Sequence, residues 1–466
     1  MQDEDPPLLG VQDSTTIWQQ GRLDLNPLLQ RYPELSNASF YKWNAGLLIC
    51  ALLLTAIILI KPTTDMVALV LFIFCSIQGG FYWVGMMMSL LRPAPPMDEA
   101  DEDALLSMTL LFPVHDEANM MPQLAGVISA LDYPPGKCDM IILVEQDDIA
   151  TRDAFHLITW PDNVRLGVVP RGLPQTKPRA CNYGLASATS EIIGVFDAED
   201  RPDPKILREV SARFSANRQQ LACLQAPLVI THFEGSPLAY LFAIEYAMQF
   251  SFLLPAWLAC GAPAPLSGAG NFFRTTILRK IGGWDPFNVT EDADLGIRLV
   301  RLGYRIETLQ SPNYETAPAN LRDWFFQRTR WFTGHFQTLL VHIRHPVIFL
   351  GQVGATAMML FFASFLTRIF ASVAHTAFLI IIATDIGHFL PYLASTELGW
   401  LSFAIYSGRI FCLLRLNALP TMPKLRPSIL LLMPYYTLQL PPLFLALYNT
   451  ARRNMRWFKT PHAPIA

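Results

Sequence analysis

The sequence contains little charge for its length. Only 16% of its 466 residues are charged, and the formal net charge is -3. With 52% hydrophobic residues and a mean hydropathy of +0.29, the chain is too apolar for an ordinary soluble enzyme. Its nearly neutral balance provides no polyanion-binding surface, so nucleic acid is not expected as a partner.

Several patterns that would define other protein classes are also missing. The seven cysteines form no Cys-x-x-Cys pair, which argues against a disulfide framework or a zinc site. The first predicted strand is not followed by Gly-x-Gly-x-x-Gly, and no Gly-x-x-x-x-Gly-Lys phosphate loop occurs in the chain. These absences disfavour a dinucleotide-binding dehydrogenase.

Long apolar stretches lie towards the two ends of the chain. A membrane span needs about 20 apolar residues, so residues 41–60 and 66–91 predict a transmembrane hairpin within 41–92. Residues 1–40 begin with an acidic cluster rather than the basic segment of a signal peptide, so we expect a cytosolic tail. The acidic segment 93–107 is predicted to be a linker.

A second apolar region follows the central part of the chain. Residues 347–383 are too long for one span, which favours an interfacial helix followed by a span. Residues 400–416 are another candidate span, and the proline-broken segment 429–447 is expected to be re-entrant or interfacial. We therefore predict interfacial and transmembrane helices over 346–450, with a basic tail, 451–466, on the cytoplasmic side.

Between the apolar regions, short apolar runs alternate with amphipathic stretches. The predicted strands cover residues 108–113, 139–144, 164–169 and 191–196. Each run ends in polar residues and leads towards a predicted helix, which predicts an α/β domain with a mainly parallel sheet. Ligands of such sheets bind beyond the carboxyl ends of the strands.

The acidic residues after the fourth strand are candidates for metal binding. Asp197 and Glu199 are two positions apart, so both can share a hard cation that also holds a diphosphate. The alternative is an acidic turn that caps the next helix, an interpretation that suits Asp200 better.

A glycine-rich stretch and a second acidic cluster follow. Residues 266–270 would allow a sugar to approach the backbone closely, although a simple loop before a strand is the better explanation of this stretch taken alone. Asp292 and Asp294 come just after Thr290, where acidic residues are expected in the first turn of a capped helix. Either could also act as a general base if it faces a cleft.

Gln327, Arg330 and Trp331 are three and four positions apart, so they share one face of a helix. A guanidinium suits a diphosphate, and an indole suits the face of a sugar ring. The alternative is an amphipathic helix on a membrane. Both interpretations hold together if the remaining aromatic side chains lie along the bilayer, namely Trp324, Phe325, Phe326 and Phe332.

Four ordered motifs together resemble the membrane-embedded family-2 glycosyltransferases, which include cellulose, chitin and hyaluronan synthases. The motifs are Phe112-Pro113-Val114-His115-Asp116-Glu117-Ala118, Asp197-Ala198-Glu199-Asp200, Thr290-Glu291-Asp292 and Gln327-Arg328-Thr329-Arg330-Trp331. The ending Trp457-Phe458-Lys459-Thr460-Pro461-His462 resembles a bacterial branch of these enzymes. The resemblance implies a cytosolic GT-A catalytic domain over 108–345, in a multi-pass protein of the bacterial inner membrane.

The resemblance also implies roles for particular residues. Asp292 would be the catalytic base, and Asp197 and Glu199 would bind Mg2+ or Mn2+. The residues implied to contact the nucleotide sugar are Pro113, Glu117, Glu145, Lys177 with Asn182, Asp197 and Arg330. The residues implied to contact the acceptor are Gln327, Trp331 and Glu291. Glu199 departs from the usual aspartate, which leaves open whether Glu199 or Asp200 reaches the metal.

The implied reaction is inverting transfer of a hexose from a nucleotide sugar to a growing polysaccharide. Family frequency favours UDP-glucose as the donor, and export across the membrane would involve accessory subunits. Arg368 and the neighbouring aromatics Phe361, Phe362, Phe365 and Phe370 are candidates to line an export channel, or simply to pack among helices. The alternatives are transfer of one sugar to a membrane lipid and an inactive subunit or receptor.

Overall fold

A computed structural model describes residues 26–39, 64–91, 104–216, 220–395, 397–419 and 423–452. Three predictions fall largely outside these ranges: the first candidate span, 41–60, the linker, 93–107, and the basic tail, 451–466.

The strands of the described part are β1 (Met108–Val114), β2 (Cys138–Glu145), β3 (Val164–Val169), β4 (Ile192–Val195), β5 (Arg201–Pro202), β6 (Leu221–Gln225), β7 (Leu228–Thr231), β8 (Asn271–Arg274), β9 (Arg305–Thr308) and β10 (Asn313–Thr316).

The α-helices are α1 (Pro27–Arg31), α2 (Thr64–Leu91), α3 (Met121–Ala130), α4 (Ile149–His156), α5 (Lys177–Ser187), α6 (Ile206–Ala216), α7 (Pro237–Met248), α8 (Leu254–Ala259), α9 (Thr275–Lys280), α10 (Glu291–Arg301), α11 (Leu321–His342), α12 (Pro346–Ser395), α13 (Glu397–Leu416), α14 (Leu432–Thr437) and α15 (Leu440–Arg452). A π-helical turn, Gln249–Leu253, joins α7 to α8.

The main sheet has seven strands in the order β3-β2-β1-β4-β8-β6-β9. Strands β1 to β4 are parallel, whereas β8 runs antiparallel to both of its neighbours. The predicted α/β class, the mainly parallel sheet and all four predicted strands are confirmed. The polar residues that follow β1, β2 and β4 therefore lie at one edge of the sheet, because carboxyl ends of parallel strands meet there.

A second, three-stranded sheet in the order β5-β10-β7 has no counterpart in the sequence-based prediction. In it β10 pairs parallel with β7 and antiparallel with the two-residue β5. The short strand β5 lies just beyond the acidic turn after β4, so this sheet brings β10 next to that turn.

The N-terminal residues 26–39 are part of the folded catalytic unit rather than a free tail. Ser36 Oγ lies 3.2 Å from Asp285 Oδ1, and the amide of Asn37 donates to Asp285 Oδ2 at 2.6 Å. Arg344 donates to the carbonyl of Glu34 at 2.8 Å. The sequence analysis treated this segment only as tail because every one of these partners is hundreds of positions away.

Three helical segments of the described residues are long and apolar enough to cross a membrane: Pro237–Ala259, Pro346–Leu366 and Pro427–Arg452. Helix α2 and helix α13 confirm the helices expected at 66–91 and 400–416, and they pack together, with Trp83 Nε1 donating to Ala404 O at 3.0 Å.

The interfacial helix and the span expected after residue 346 are one continuous helix, α12, with an irregularity at Gly354, whose φ is +79°. At 1.5 Å per residue its 50 residues extend about 75 Å, more than twice the hydrocarbon thickness. Helix α12 is therefore longer than a single span requires.

Helix α7 and the segment up to α8 lie within the region 108–345 that the sequence analysis assigned to the catalytic domain. They pack on α2, where Gly85 comes so close to Phe252 that an added Cβ would lie 2.4 Å from the Phe252 carbonyl oxygen. The catalytic domain is thus joined to the apolar helices by direct packing.

Candidate active site

The carboxyl edge of the main sheet, the start of α10 and the middle of α11 enclose a cavity of about 330 Å³. Eleven of the site residues predicted from the sequence line it: Pro113, Glu117, Glu145, Lys177, Asp197, Glu199, Glu291, Asp292, Gln327, Arg330 and Trp331. The structure therefore brings together residues spread over more than 200 positions of the chain.

Asp197 and Glu199 face this cavity from the turn after β4. The Lys177 ammonium at the start of α5 forms an ion pair with Asp197, and it also donates to the carbonyl oxygen of Gly268 at 2.7 Å. Burial alone would lower the pKa of Lys177, but the carboxylates of Asp197 and Glu291 raise it, so the ammonium stays charged. Lys177 thus places one fixed positive charge beside the acidic turn.

Asp200 closes the acidic turn on itself. Its carboxylate accepts the amide hydrogen of Asp197 at 2.6 Å, and it does not line the cavity, whereas Glu199 does. This bond lies within the acidic turn and does not reach the helix that follows, so it is not the helix cap that the sequence analysis expected of Asp200. Glu199 therefore fits the role of metal ligand better than Asp200, despite its longer side chain.

Glu315 on β10 is a cavity-lining carboxylate that the sequence analysis missed. Burial, followed by the charges of Glu199 and Asp197, raises the pKa of Glu315 to about 8. No local pattern singles out this residue, because only the pairing of β10 with β5 and β7 brings it to the acidic turn.

The donor set suits a hard divalent cation. Asp197, Glu199 and Glu315 offer carboxylate oxygens, which Mg2+ and Mn2+ prefer. The Lys177 ammonium pairs with Asp197, the first of them. These carboxylates would hold the ion, and the ion would supply positive charge to a bound diphosphate.

A tighter group of possible ligands includes His115, which also lines the cavity. Each of three residues, His115, Asp116 and Asp148, offers one possible ligand atom, and these three atoms lie within 4.8 Å of one another. Asp148 already accepts the amides of Thr151 at 3.1 Å and Asp116 at 2.7 Å. Capping of α4 explains this carboxylate without an ion.

Asp292 lies in the first turn of α10 and faces the cavity. Burial raises the pKa of Asp292 above its usual range, which makes its carboxylate a stronger base. Burial and then Asp292 raise the pKa of the adjacent Glu291 to about 7. A Cβ built on Gly268 would lie 3.4 Å from Asp292 Oδ2, so this glycine keeps open the space in front of the carboxylate.

The other acidic candidate of the same helix, Asp294, does not reach the cavity. It is fully buried, 3.0 Å from His342 Nε2 and 3.3 Å from an Arg298 nitrogen. The contact with His342 links α10 to α11, whereas the ion pair with Arg298 lies within α10. Asp294 therefore has a structural role, and Asp292 is the candidate base that faces the cavity.

Helix α11 carries Gln327, Arg330 and Trp331 on the cavity side. Gly334 lets the helix approach the loop before α10 so closely that an added Cβ would lie 2.3 Å from Thr290 Oγ1. In addition, Asn288 Nδ2 donates to Thr338 Oγ1 at 2.9 Å. The two motifs are therefore locked to each other.

The aromatic residues of α11 do not all lie along a bilayer surface. Trp324 is 1% exposed and packs against Tyr435 of α14, with ring centroids 5.5 Å apart and the rings tilted by 53°. Phe332 is 7% exposed and packs against α15. The expectation that these two face lipid is wrong, because amphipathic spacing does not distinguish a lipid surface from a neighbouring helix.

Arg328, between the motif residues, fixes Trp331 in place. Its guanidinium forms a two-point ion pair with Glu245 of α7 and donates to Tyr435 Oη at 2.8 Å. It also lies 4.6 Å from the Trp331 ring centroid. Three helices therefore hold the indole that is proposed to stack on a sugar.

Two residues that the resemblance assigned to the nucleotide sugar already have partners within the protein. Glu145 is buried and pairs with Arg179 at 3.3 Å, and burial raises the pKa of Glu145 to about 7. Asn182 does not line the cavity. Its side chain bonds the backbone of Trp284 at 2.9 and 3.0 Å, so its role is to anchor that loop.

The sequence matches the family described as Glycosyl transferase family group 2 over residues 192–437, more than half of the chain. The chain therefore belongs to this family of glycosyltransferases, as the motifs predict.

Two curated relatives illustrate the range of the family. The chain is 27% identical over 245 residues to a beta-monoglucosyldiacylglycerol synthase of Nostoc sp., covering 51% of each chain. It is 21% identical over 296 residues to a poly-beta-1,6-N-acetyl-D-glucosamine synthase of Staphylococcus epidermidis, covering 63% of this chain and 70% of the relative. The chain spans about half the length of several of the curated relatives it matches.

Among solved structures, the chain is similar to a mannosyltransferase from Pyrobaculum calidifontis in complex with GDP-Man and Mn2+. The TM-score is 0.50 at 16% identity, covering 82% of this chain and 99% of that one. At this identity the likeness concerns the fold alone, and the predicted GT-A fold is confirmed.

Proposed function

We propose that this protein is an inverting hexosyltransferase that uses a nucleotide sugar as donor and receives its acceptor from the membrane side. The observation that carries the proposal is the single cavity that contains Asp292, the acidic turn and Arg330. Arg330 makes no ion pair with a described carboxylate, so its guanidinium remains available for a leaving diphosphate.

In the proposed reaction, the acceptor hydroxyl gives its proton to the Asp292 carboxylate. The hydroxyl oxygen bonds to the anomeric carbon as the bond to the diphosphate oxygen breaks, and the nucleoside diphosphate leaves with the electron pair. Arg330 and Lys177 stabilise the leaving charge, and Trp331 stacks on the acceptor. Bound Mg2+ or Mn2+ would neutralise part of the diphosphate charge.

Pro113, Glu117 and Glu145 are proposed to contact the nucleotide sugar, and Gln327 and Glu291 the acceptor. The catalytic domain, 108–345, is proposed to be cytosolic in a multi-pass inner-membrane protein. UDP-glucose is the first donor to test.

Two acceptors are supported by different observations. A growing polysaccharide, extended processively and exported with accessory subunits, is supported by the family motifs and by the polysaccharide synthase among the relatives. A membrane lipid is supported by the glycolipid synthase among the relatives and by the cavity, whose wall includes residues of α2, α8, α12 and α14.

The aromatic residues predicted to line an export channel do not support one. Phe361 and Phe365 are fully buried against each other, with ring centroids 4.8 Å apart, and do not line the cavity. Phe362 packs on the same cluster, and the side chain of Phe370 lies outside the described residues. Of the four candidates whose side chains are described, Arg368 alone lines the cavity.

The test is incubation of membranes that contain the protein with labelled UDP and GDP hexoses plus Mg2+ or Mn2+. We expect a labelled product from the parent and labelling about 10²–10⁴-fold slower from Asp292→Asn, which should retain nucleotide binding. Polymer that remains in the aqueous phase identifies a polysaccharide acceptor, and organic-extractable label identifies a lipid. Equal labelling by the parent and Asp292→Asn would contradict the proposal.

A further inference from the structure

Arg368 of α12 belongs to the part of the cavity that lies among the apolar helices. The same wall contains Tyr82 of α2, Trp257 of α8 and Tyr436 of α14. Asp292 and Trp331 line this cavity as well. A ligand that reaches Asp292 from the membrane side therefore passes along a wall with one guanidinium and several aromatic rings.

The described contacts of Arg368 do not balance its charge. Its guanidinium lies 5.2 Å from the Trp257 ring centroid, and Nη1 is 3.3 Å from His335 Nε2. No described carboxylate forms an ion pair with it, and Glu245, the carboxylate that acts on it most strongly, is already paired with Arg328. The cation is thus held by neutral partners on one side and is open to the cavity on the other.

His335 is neutral for two reasons. Its Nδ1 is 2.6 Å from the carbonyl oxygen of Trp331, so Nδ1 carries the hydrogen and Nε2 accepts from Arg368. Burial and then the Arg368 guanidinium lower the pKa of His335 to about 3. His335 therefore orients Arg368 relative to Trp331 without adding charge.

A second arginine of the apolar helices provides a matched comparison. Arg409 of α13 has the same kinds of partner, with Nη1 3.0 Å from His375 Nε2 and its guanidinium 4.8 Å from the Tyr436 ring centroid. It is 4% exposed and does not line the cavity. Packing among helices explains Arg409, but it does not explain why Arg368 faces an open space.

We propose that Arg368 binds the phosphodiester of an acceptor phospholipid whose head group presents a free hydroxyl to Asp292. This inference rests on the proposed function and names its acceptor class. A planar guanidinium matches the paired oxygens of a phosphodiester. In a membrane-associated cavity an uncompensated cation is unfavourable, and an anionic ligand removes that penalty, whereas a neutral glycan does not.

The transfer step is then fully defined. The head-group hydroxyl loses its proton to Asp292, and its oxygen forms the new bond to the anomeric carbon. The bond from that carbon to the nucleotide diphosphate breaks, and the diphosphate carries away the electron pair beside Arg330. The phosphodiester itself does not react, so Arg368 acts only in binding.

The experiment uses the full-length protein, a labelled nucleotide sugar and three acceptors: phosphatidylglycerol, diacylglycerol and a soluble oligosaccharide, the lipids being presented in phosphatidylcholine vesicles. We expect label on phosphatidylglycerol. Arg368→Gln should raise the KM for this lipid at least tenfold while nucleotide affinity changes less than twofold. Arg368→Lys should recover part of the loss, and the matched control Arg409→Gln should keep the parent KM.

A second measurement needs only the parent protein and so does not depend on how the variants fold. Phosphatidylmethanol carries the phosphodiester but no hydroxyl, and we expect it to compete with phosphatidylglycerol. Absence of competition, or label on diacylglycerol or oligosaccharide with no effect of Arg368→Gln, would overturn the inference and leave the proposed function intact. Absence of transfer to any acceptor would overturn both.

Discussion

Replacing Gly268 with alanine tests the geometry of the catalytic base. The new methyl group would lie 3.4 Å from Asp292 Oδ2 and 3.8 Å from Lys177 Nζ, which is ordinary contact distance for the folded protein. An acceptor hydroxyl, however, has to come within about 2.6–3.2 Å of the base. The methyl group and the hydroxyl therefore compete for the same space.

The expected effects on stability and activity have opposite signs. The φ of Gly268 is outside the left-handed region, so alanine should leave stability unchanged or raise it by up to about 1 kcal/mol by restricting the unfolded chain. A displacement of about 1 Å in a reacting group lowers the rate about 100-fold. We expect a loss of that size in kcat, equivalent to about 2.7 kcal/mol.

The assay is transfer of labelled hexose under saturating donor, combined with thermal unfolding in detergent. The control is Gly126→Ala in α3, where an added Cβ meets no atom within 4 Å, and we expect parent activity from it. If Gly268→Ala keeps the parent kcat at an unchanged melting temperature, the acceptor hydroxyl does not lie in front of Asp292.

Three further predictions concern the same region. Since burial raises the pKa of Asp292 and only its deprotonated form accepts a proton, kcat/KM should rise with pH through a pKa above the usual aspartate value of about 3.9; a profile that is flat down to pH 4 would contradict this. Asp294→Asn leaves a buried arginine charge without its partner and should lower the free energy of unfolding by about 3–5 kcal/mol. The measurement is thermal unfolding, and the control is an Asp→Asn substitution at an exposed position. Gly334→Ala places a methyl group 2.3 Å from Thr290 Oγ1, so it should destabilise the protein by about 1–3 kcal/mol and reduce transfer; parent-like values would show that the two motifs are not rigidly coupled.

The sequence was most informative where a structural feature is local. The runs that became β1 to β4 are apolar and end in polar residues, so their strands and the cavity edge were predictable within one or two positions. The predicted site residues line one cavity because strand ends and helix starts in this fold converge on one edge of the sheet.

Features that depend on distant pairing were not predictable. Glu315 reaches the acidic turn only through a small sheet that joins β10 to β7, more than 80 positions earlier. The apolar sequence of α7 contains one charged residue, Glu245, whose partner Arg328 is likewise about 80 positions away, so the packing of this helix against α11 was not predictable. In both cases the sequence contains both residues but does not show that they are close in space.

Amphipathic spacing was ambiguous in a different way. The apolar side of α11 was predicted to lie on the bilayer, but Trp324 and Phe332 pack on α14 and α15. A lipid surface and an apolar helix impose the same spacing, so only the tertiary structure distinguishes them.

The most direct test of the account is the anomeric configuration and rate of the product formed from an α-linked nucleotide sugar. The parent protein should give a β-linked product, as shown by NMR, because one in-line attack inverts the anomeric carbon. Asp292→Asn should lower the transfer rate by about 10²–10⁴-fold while nucleotide affinity is retained. An α-linked product, or a rate for Asp292→Asn close to that of the parent, would contradict the assignment of Asp292 as the base of an inverting transfer.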